Sequence, residues 1–156
     1  MAAPNVVSTE LGVAAALAAG ICRQDLALFV NLANLTNGIT IGFVPGFNGR
    51  LISYSFIAVL PASTATKDAT LTAKVGTVAM TGGVLSLLTA GSDAAGETTD
   101  ATAITALNAF TATQALNFTV AVSAVFIEGN GWLVLRMIND DTLQMLANAD
   151  GGYRIP

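Results

Sequence analysis

The chain has no histidine and a single cysteine, and only 10% of its 156 residues are charged. Without histidine, neither a Ser-His-Asp nor a Cys-His catalytic arrangement can form, and the commonest general base is missing. One cysteine excludes a disulfide within the chain and removes most zinc sites. We therefore predict that the protein is not an enzyme, that it binds no metal or cofactor, and that Cys22 is a small buried apolar residue.

Charge of either sign is too scarce or too scattered to form a recognisable site. The formal net charge is −4, and the six basic residues are spread along the chain. Nucleic-acid binding needs basic side chains gathered on one face, so no nucleic acid partner is expected. The acidic loop with Asp93, Glu97 and Asp100 offers oxygen ligands for Ca²⁺, but its spacing is not that of an EF-hand, and a solvated loop is the simpler interpretation.

Long clean hydrophobic runs are also missing, although 53% of the residues are apolar. The segment Leu11 to Cys22 is shorter than the roughly 20 residues that a membrane-spanning helix needs. A secretory signal typically has Lys or Arg before its apolar core, and none precedes this segment. We expect a soluble protein with no membrane partner.

The sequence does contain apolar residues that recur with a period of two. From Asp25 to Asn139 apolar residues recur mainly at alternate positions, as in strands whose two faces differ in burial. The clearest example is Asn117 to Ile127, and Thr70 to Val75 repeats it. Threonine and valine suit a pleated surface because of their branched β-carbons. We predict strands over residues 26–34, 39–44, 50–60, 69–79, 84–89, 116–127 and 132–138, with the last two paired as a hairpin across Glu128 to Gly131.

Turn dipeptides such as Asn37-Gly38, Pro45-Gly46 and Gly82-Gly83 separate these runs. Many short strands without alternating helices predict an all-β fold, an antiparallel β-sandwich of jelly-roll type. The predicted organisation is an N-terminal arm or short helix at residues 1–24, a β-sandwich domain at 25–139, and a C-terminal short helix and tail at 140–156.

Three smaller features complete the expected organisation. The stretch 91–102 is expected to be an exposed loop, and residues 103–109 are expected to form one or two helical turns. Asn139 or Asp140 is expected to cap the C-terminal helix.

The two arms are candidates for partner binding. Leu11, Val13 and Leu17 in the first arm, and Tyr153 and Ile155 in the tail, would gain little by ordering alone in water. Docking on a neighbouring subunit would bury them, and ordering on binding is a common assembly device. The alternative is that both arms pack back onto their own domain.

Trp132 and Tyr54 are the aromatic candidates for ligand contact, because exposed aromatic rings stack on sugars. Trp132 follows a predicted hairpin turn, which favours a position at the rim of the sandwich and makes it a candidate partner-binding residue. The alternative is a ring packed partly into the core, with its N–H donated to a backbone carbonyl.

Three strand-and-turn patterns lie between Gly49 and Met137. They are Gly49-Arg50-Leu51-Ile52, Val75-Gly76-Thr77 followed by Thr81-Gly82-Gly83-Val84-Leu85, and the run from Phe126 to Arg136. Together they resemble the small β-rich structural proteins of tailed bacteriophages, especially head decoration (cement) proteins and related fibre or spike modules.

This resemblance implies a jelly-roll domain that forms homotrimers on the outer surface of a virion capsid and clamps adjacent major capsid proteins. The expected function is capsid stabilisation. A charge-poor, Thr-rich surface suits such a role because charged groups are depleted from the buried centres of interfaces. Two alternatives stay open: a receptor- or glycan-binding module of a phage fibre, spike or tail, and a surface adhesin.

Overall fold

The computed structural model describes residues 22–64, 66–88 and 94–142, which form nine strands and one short 3₁₀ helix, η1. The elements are β1 (Arg23–Asn31), η1 (Leu32–Asn34), β2 (Thr40–Phe43), β3 (Gly49–Leu60), β4 (Asp68–Val75), β5 (Val78–Leu88), β6 (Thr98–Asp100), β7 (Ala109–Phe110), β8 (Leu116–Ala124) and β9 (Asn130–Asn139). Sheet A has the order β1-β9-β3-β6, with β7 also paired to β3, and sheet B has the order β2-β8-β4-β5. All strand pairs are antiparallel, and the two sheets pack face to face as an all-β sandwich, as predicted.

The strand pairing is nested. The first strand pairs with the last, β2 pairs with β8, β3 pairs with β6 and β7, and β4 pairs with β5. When β6 and β7 are counted as one interrupted strand, this is an antiparallel ribbon of eight strand positions rolled into a jelly roll.

The core lies between the sheets and follows the alternation in the sequence. In β4 every second residue is buried, from Ala69 to Val75, whereas the threonines between them face outward. Tyr54 of sheet A meets Phe118 of sheet B edge to face, with 4.9 Å between ring centroids. Cys22 is also buried and free, as predicted.

The predicted hairpin between the last two strands is wrong. β8 lies in sheet B and β9 in sheet A, so the connection crosses from one layer to the other. Phe126 within it is 1% exposed and fills the core at the crossing. Gly129 has a φ of +96°, and a Cβ there would lie 3.0 Å from Leu32. A tight turn and a crossover use the same residue types, which is why the sequence alone did not separate them.

The predicted strand at 69–79 is two strands, because the chain turns at Gly76 and Thr77 between β4 and β5. Gly82-Gly83, predicted as a turn, lies within β5. The four residues from Met80 to Gly83 face Ala73 alone, since Lys74 pairs with Ala79 and Thr72 pairs with Val84. Both glycines have positive φ, +79° and +61°, which accommodates this irregularity.

The stretch predicted as an exposed loop contains β6, which pairs with Ser55 to Ile57 of β3. The helical turns predicted after it are also wrong, because residues 101–106 run alongside β5. Thr102 N donates to Val84 O at 2.8 Å, and Thr105 N donates to Thr81 O at 2.9 Å. Distant partners satisfy the backbone here, so weak local helix preference does not decide the conformation.

This crossing segment closes one side of the sandwich, between β3 and β5. On the opposite side, within the described part of the chain, β1 and β2 each have a single neighbouring strand. The sandwich thus has a closed side and an open side.

A helical turn begins at Asp140, and Asn139 Oδ1 accepts from Thr142 N at 3.1 Å, which confirms the predicted cap at Asn139. The rest of the segment predicted as a C-terminal helix and tail lies outside the described residues. Among the residues that the structure describes, no helix has the length and apolar character to cross a membrane.

Candidate protein-binding surface

The outer face of sheet A carries a cluster of exposed Phe29, half-buried Ile57 and exposed Trp132, here called the aromatic patch. Trp132 on β9 is directly opposite both Phe29 on β1 and Ile57 on β3, so the three side chains form one row across the sheet. Phe29 and Trp132 meet edge to face at 5.4 Å and 73°. The aromatic patch is therefore fixed by strand register and by direct ring contact.

Two side chains of this row are exposed to solvent. Phe29 is 58% exposed and Trp132 is 42% exposed. Leu60, opposite Asn130 one row further along, is 55% exposed. Large apolar groups gathered on a rigid surface are typical of binding sites, whereas single exposed apolar residues are not informative.

Charged groups occupy the other end of the same face. Arg23 donates from Nε to Asp25 Oδ1 at 2.7 Å, and its second contact with that carboxylate is a short ion pair. Hydrogen bonds from Arg23 hold the pKa of Asp25 below its usual value, and Arg136 across the strand adds to this effect. The face therefore changes from charged to apolar along its strands, from Arg23 and Asp25 to Phe29 and Trp132.

A carboxylate clip holds the loops at the apolar end. Oε1 of Glu128 accepts from the backbone N–H and the hydroxyl of both Ser63 and Thr64, at 2.7 to 3.0 Å. The two hydroxyls lower the pKa of Glu128, and the two backbone N–H groups add to the effect. Because Glu128 precedes β9 and Ser63 follows β3, the clip joins the connections beside the aromatic patch.

A second apolar surface lies at the other end of the sandwich and centres on Val78 and Leu107, which are 55% and 59% exposed. It borders a groove of about 450 Å³ lined by Val75, Val78, Leu107, Asn108, Ala109 and Gln114. We call this the Leu107 surface.

Leu107 has a φ of +60°, a conformation that costs a side chain of this size on the order of 1 to 3 kcal/mol. Hydrogen bonds on both sides hold it there: Asn108 Nδ2 donates to Leu51 O at 2.9 Å, and Thr81 N donates to Ala106 O at 3.0 Å. The backbone is thus held in a strained conformation that presents an apolar side chain to solvent.

The structure places the predicted site residues in three different situations. Trp132 lies on the outer face of β9, within the strand. Tyr54 is 2% exposed, so its prediction as a ligand contact is wrong: its position on β3 puts the ring on the inner face. Leu11, Val13, Leu17, Tyr153 and Ile155 lie outside the described residues.

Phe29, Ile57, Val78 and Leu107 were not identified from the sequence. A signal for Phe29 was available, because it shares strand parity with Arg23 and Asp25 and so belongs to the solvent-facing side of β1. No sequence signal distinguishes Leu107, since its exposure follows from the hydrogen bonds of its neighbours.

The acidic loop does not form a cluster in the described structure. Asp93 lies outside the described residues, Glu97 immediately precedes β6, and Asp100 is the last residue of that strand. In the portions of the chain that the structure describes, no three His, Cys, Asp or Glu side chains are grouped to hold a metal ion.

No protein-family model, curated protein or solved structure matches this chain. Its function therefore has to be inferred from its own residues and their geometry.

Proposed function

We propose that this chain is a non-catalytic structural protein of a phage virion that binds the outer surface of the capsid and stabilises the lattice. The virion assignment rests on the sequence resemblance to capsid decoration proteins. The jelly roll is compatible with it, but the same fold serves viral capsid proteins and lectins, so fold alone does not select the function.

The observation that carries the proposal is the presence of two rigid apolar surfaces at opposite ends of one sandwich. The aromatic patch adjoins β3 at Ile57, and the Leu107 surface adjoins it at Leu51. Leu51 and Ile57 are six positions apart along β3, about 20 Å at 3.3 Å per residue. A molecule with two separate adhesive ends can contact two neighbours at once, which is what clamping adjacent capsid proteins requires.

Binding of this kind stabilises by mass action. A ligand that binds the assembled lattice, and not the dissociated subunits, lowers the free energy of the lattice. The stabilisation grows with the logarithm of the ratio of free ligand concentration to Kd. Buried aromatic residues usually dominate such interfaces, and polar surroundings exclude water from them. The aromatic patch and the polar strands beside it have this composition.

The test is co-sedimentation of purified protein with capsids assembled without it. We expect saturable binding at a fixed ratio to the capsid protein and an increase in the temperature at which the shells disrupt. Absence of binding would contradict the proposal.

Two variants locate the interface. Replacing both Phe29 and Trp132 by Ser, or combining Val78→Ser with Leu107→Asn, should each weaken binding by about ten- to a hundredfold, as loss of a central apolar anchor does. Asn tolerates the positive φ at position 107. Thr72→Ala on the outer face of sheet B is the matched control and should bind like the parent protein.

A glycan-binding module of a fibre, spike or tail is the second candidate, and the exposed ring of Trp132 is the observation that favours it. Sugar recognition stacks a pyranose ring on an aromatic face with hydrogen bonds around it. Binding of the purified protein to a glycan array, lost in Trp132→Ala, would favour this function over capsid binding.

A further inference from the structure

Arg136 lies on the same outer face of sheet A as the aromatic patch. It is four positions from Trp132 along β9, about 13 Å at 3.3 Å per residue. The two residues share strand parity and both are exposed, whereas the odd-numbered residues between them are buried. The sheet therefore holds a guanidinium and a pair of aromatic rings at a fixed spacing.

The surroundings of Arg136 are locally basic, although the chain has a net charge of −4. Asp25 on β1 is directly opposite, but Arg23 already donates to both oxygens of that carboxylate. Arg136 acts on Asp25 through its charge. A further carboxylate, Asp100, is on β6, and β3 lies between that strand and β9. Two arginines thus stand beside one carboxylate, which leaves a positive charge in excess at this end of the face.

Small side chains lie between the guanidinium and the rings. In the intervening row, Ala27 on β1 and Ser55 on β3 are both opposite Val134 on β9. Ser55 is only 6% exposed. The face therefore has a low floor between two taller groups, and an extended segment of a partner can lie along it and contact both.

We propose that the outer face of sheet A binds an acidic and apolar segment of the capsid protein, with a carboxylate on Arg136 and an apolar side chain on Phe29 and Trp132. A guanidinium donates two parallel hydrogen bonds to a carboxylate, which adds direction as well as affinity. In an extended segment the two anchoring side chains are four residues apart, the same spacing as Arg136 and Trp132. This inference rests on the proposed function, because it names the chemistry of the partner surface which that function requires.

Co-sedimentation with capsids assembled without this protein tests the role of Arg136. Arg136→Gln should weaken binding about tenfold, as loss of a charge-assisted hydrogen bond does. Arg136→Glu should weaken it further, because like charges then meet. The affinity of the parent protein should also fall more steeply with NaCl concentration than that of Arg136→Gln. Lys74→Gln removes one positive charge from the outer face of sheet B and is the matched control, which should bind like the parent protein.

The outcomes separate this inference from the proposed function. If the parent protein binds and both Arg136 variants bind equally well, the inference is overturned and the proposed function stands. An equal loss in Lys74→Gln would show an effect of net charge and would also overturn the inference. Failure of the parent protein to bind would overturn both.

A zero-length cross-link identifies the partner group. When Arg136→Lys is bound to capsids, a water-soluble carbodiimide should join its amine to the facing carboxylate as an amide. The carbodiimide takes up the water that is released and becomes a urea. Mass spectrometry should then find position 136 linked to an Asp or Glu of the capsid protein. Ser86→Lys, on the outer face of sheet B, is the matched control and should give little of this product.

The parent protein, treated in the same way, measures the background from Lys67 and Lys74. Equal cross-linking of Arg136→Lys and Ser86→Lys would contradict the proposal. Specific binding of an acidic glycan that is lost in Arg136→Gln, while capsid binding is unchanged, would assign the face to a different ligand and would also overturn it.

Discussion

The hydroxyl of Tyr54, carried by sheet A, lies 2.9 Å from the backbone oxygen of Leu71 in sheet B. It also lies 2.8 Å from Gly83 O, so one buried proton serves two carbonyls of the opposite sheet. Burial raises the pKa of Tyr54, and the group stays a hydrogen-bond donor at all ordinary pH values. The contact ties the two layers together at the irregular part of β5.

Tyr54→Phe removes this donor and keeps the ring. We expect a loss of about 1 to 3 kcal/mol in the free energy of unfolding, because the carbonyls stay buried without the hydroxyl. Urea denaturation measures the change. Ser86→Ala, on the outer face of sheet B, is the control and should stay within about 0.5 kcal/mol of the parent protein. An unchanged Tyr54→Phe protein would show that the hydroxyl does not stabilise the fold.

We expect the free energy of unfolding to depend on pH only in the acidic range. The pKa of Glu128 is lowered in the folded protein from its usual 4.5, mainly by the hydroxyls of Ser63 and Thr64, so its contribution is fully present above about pH 4.5. That contribution is lost as the pH falls through the folded pKa. Since the chain has no histidine, we expect little change between about pH 5 and 8.

Denaturation from pH 3 to 7 checks this expectation. Glu128→Gln should show a shallower loss at acidic pH, with the remaining slope from groups such as Asp25 and Asp141, whose pKa values are also lowered. An identical slope in the variant and the parent protein would be incompatible with the clip.

Trp132 is the only tryptophan in the chain, so its fluorescence reports on the aromatic patch. Because it is 42% exposed, acrylamide should quench it readily in the free protein. Addition of capsids assembled without this protein, the proposed partner, should reduce the quenching constant several-fold and shift the emission to shorter wavelength. Phe29→Ala, which removes the neighbouring ring, should increase quenching in the free protein. Quenching that does not change in the bound state would place the interface elsewhere.

Gly131→Ala should destabilise the protein by about 1 to 3 kcal/mol, as overpacking does. A Cβ at this position would lie 2.2 Å from the carbonyl oxygen of Ile57 and 2.5 Å from the ring of Phe56. Thermal unfolding measures the loss. Gly96→Asn is the control: it has a φ of +85° and nothing near its Cβ, and Asn tolerates that conformation. A Gly131→Ala protein as stable as the control would contradict the close packing of β3 on β9.

Much of the strand content follows from local properties. In β4 and β8 the alternation of threonine or other small residues with apolar residues predicts which face is buried, because side chains of a strand point to opposite sides. The same rule explains why Tyr54 lies on the inner face of β3 and Trp132 on the outer face of β9.

The sequence by itself determined that the chain is an all-β sandwich with a charge-poor surface, because period and composition are local properties. Only the tertiary structure decided which strands pair. β8 and β9 are neighbours in sequence but lie in different sheets, and residues 101–106 are extended because β5 offers them backbone partners. The binding surfaces depend on the same contacts: Phe29, Ile57 and Trp132 come from three strands and meet only when the ribbon is rolled.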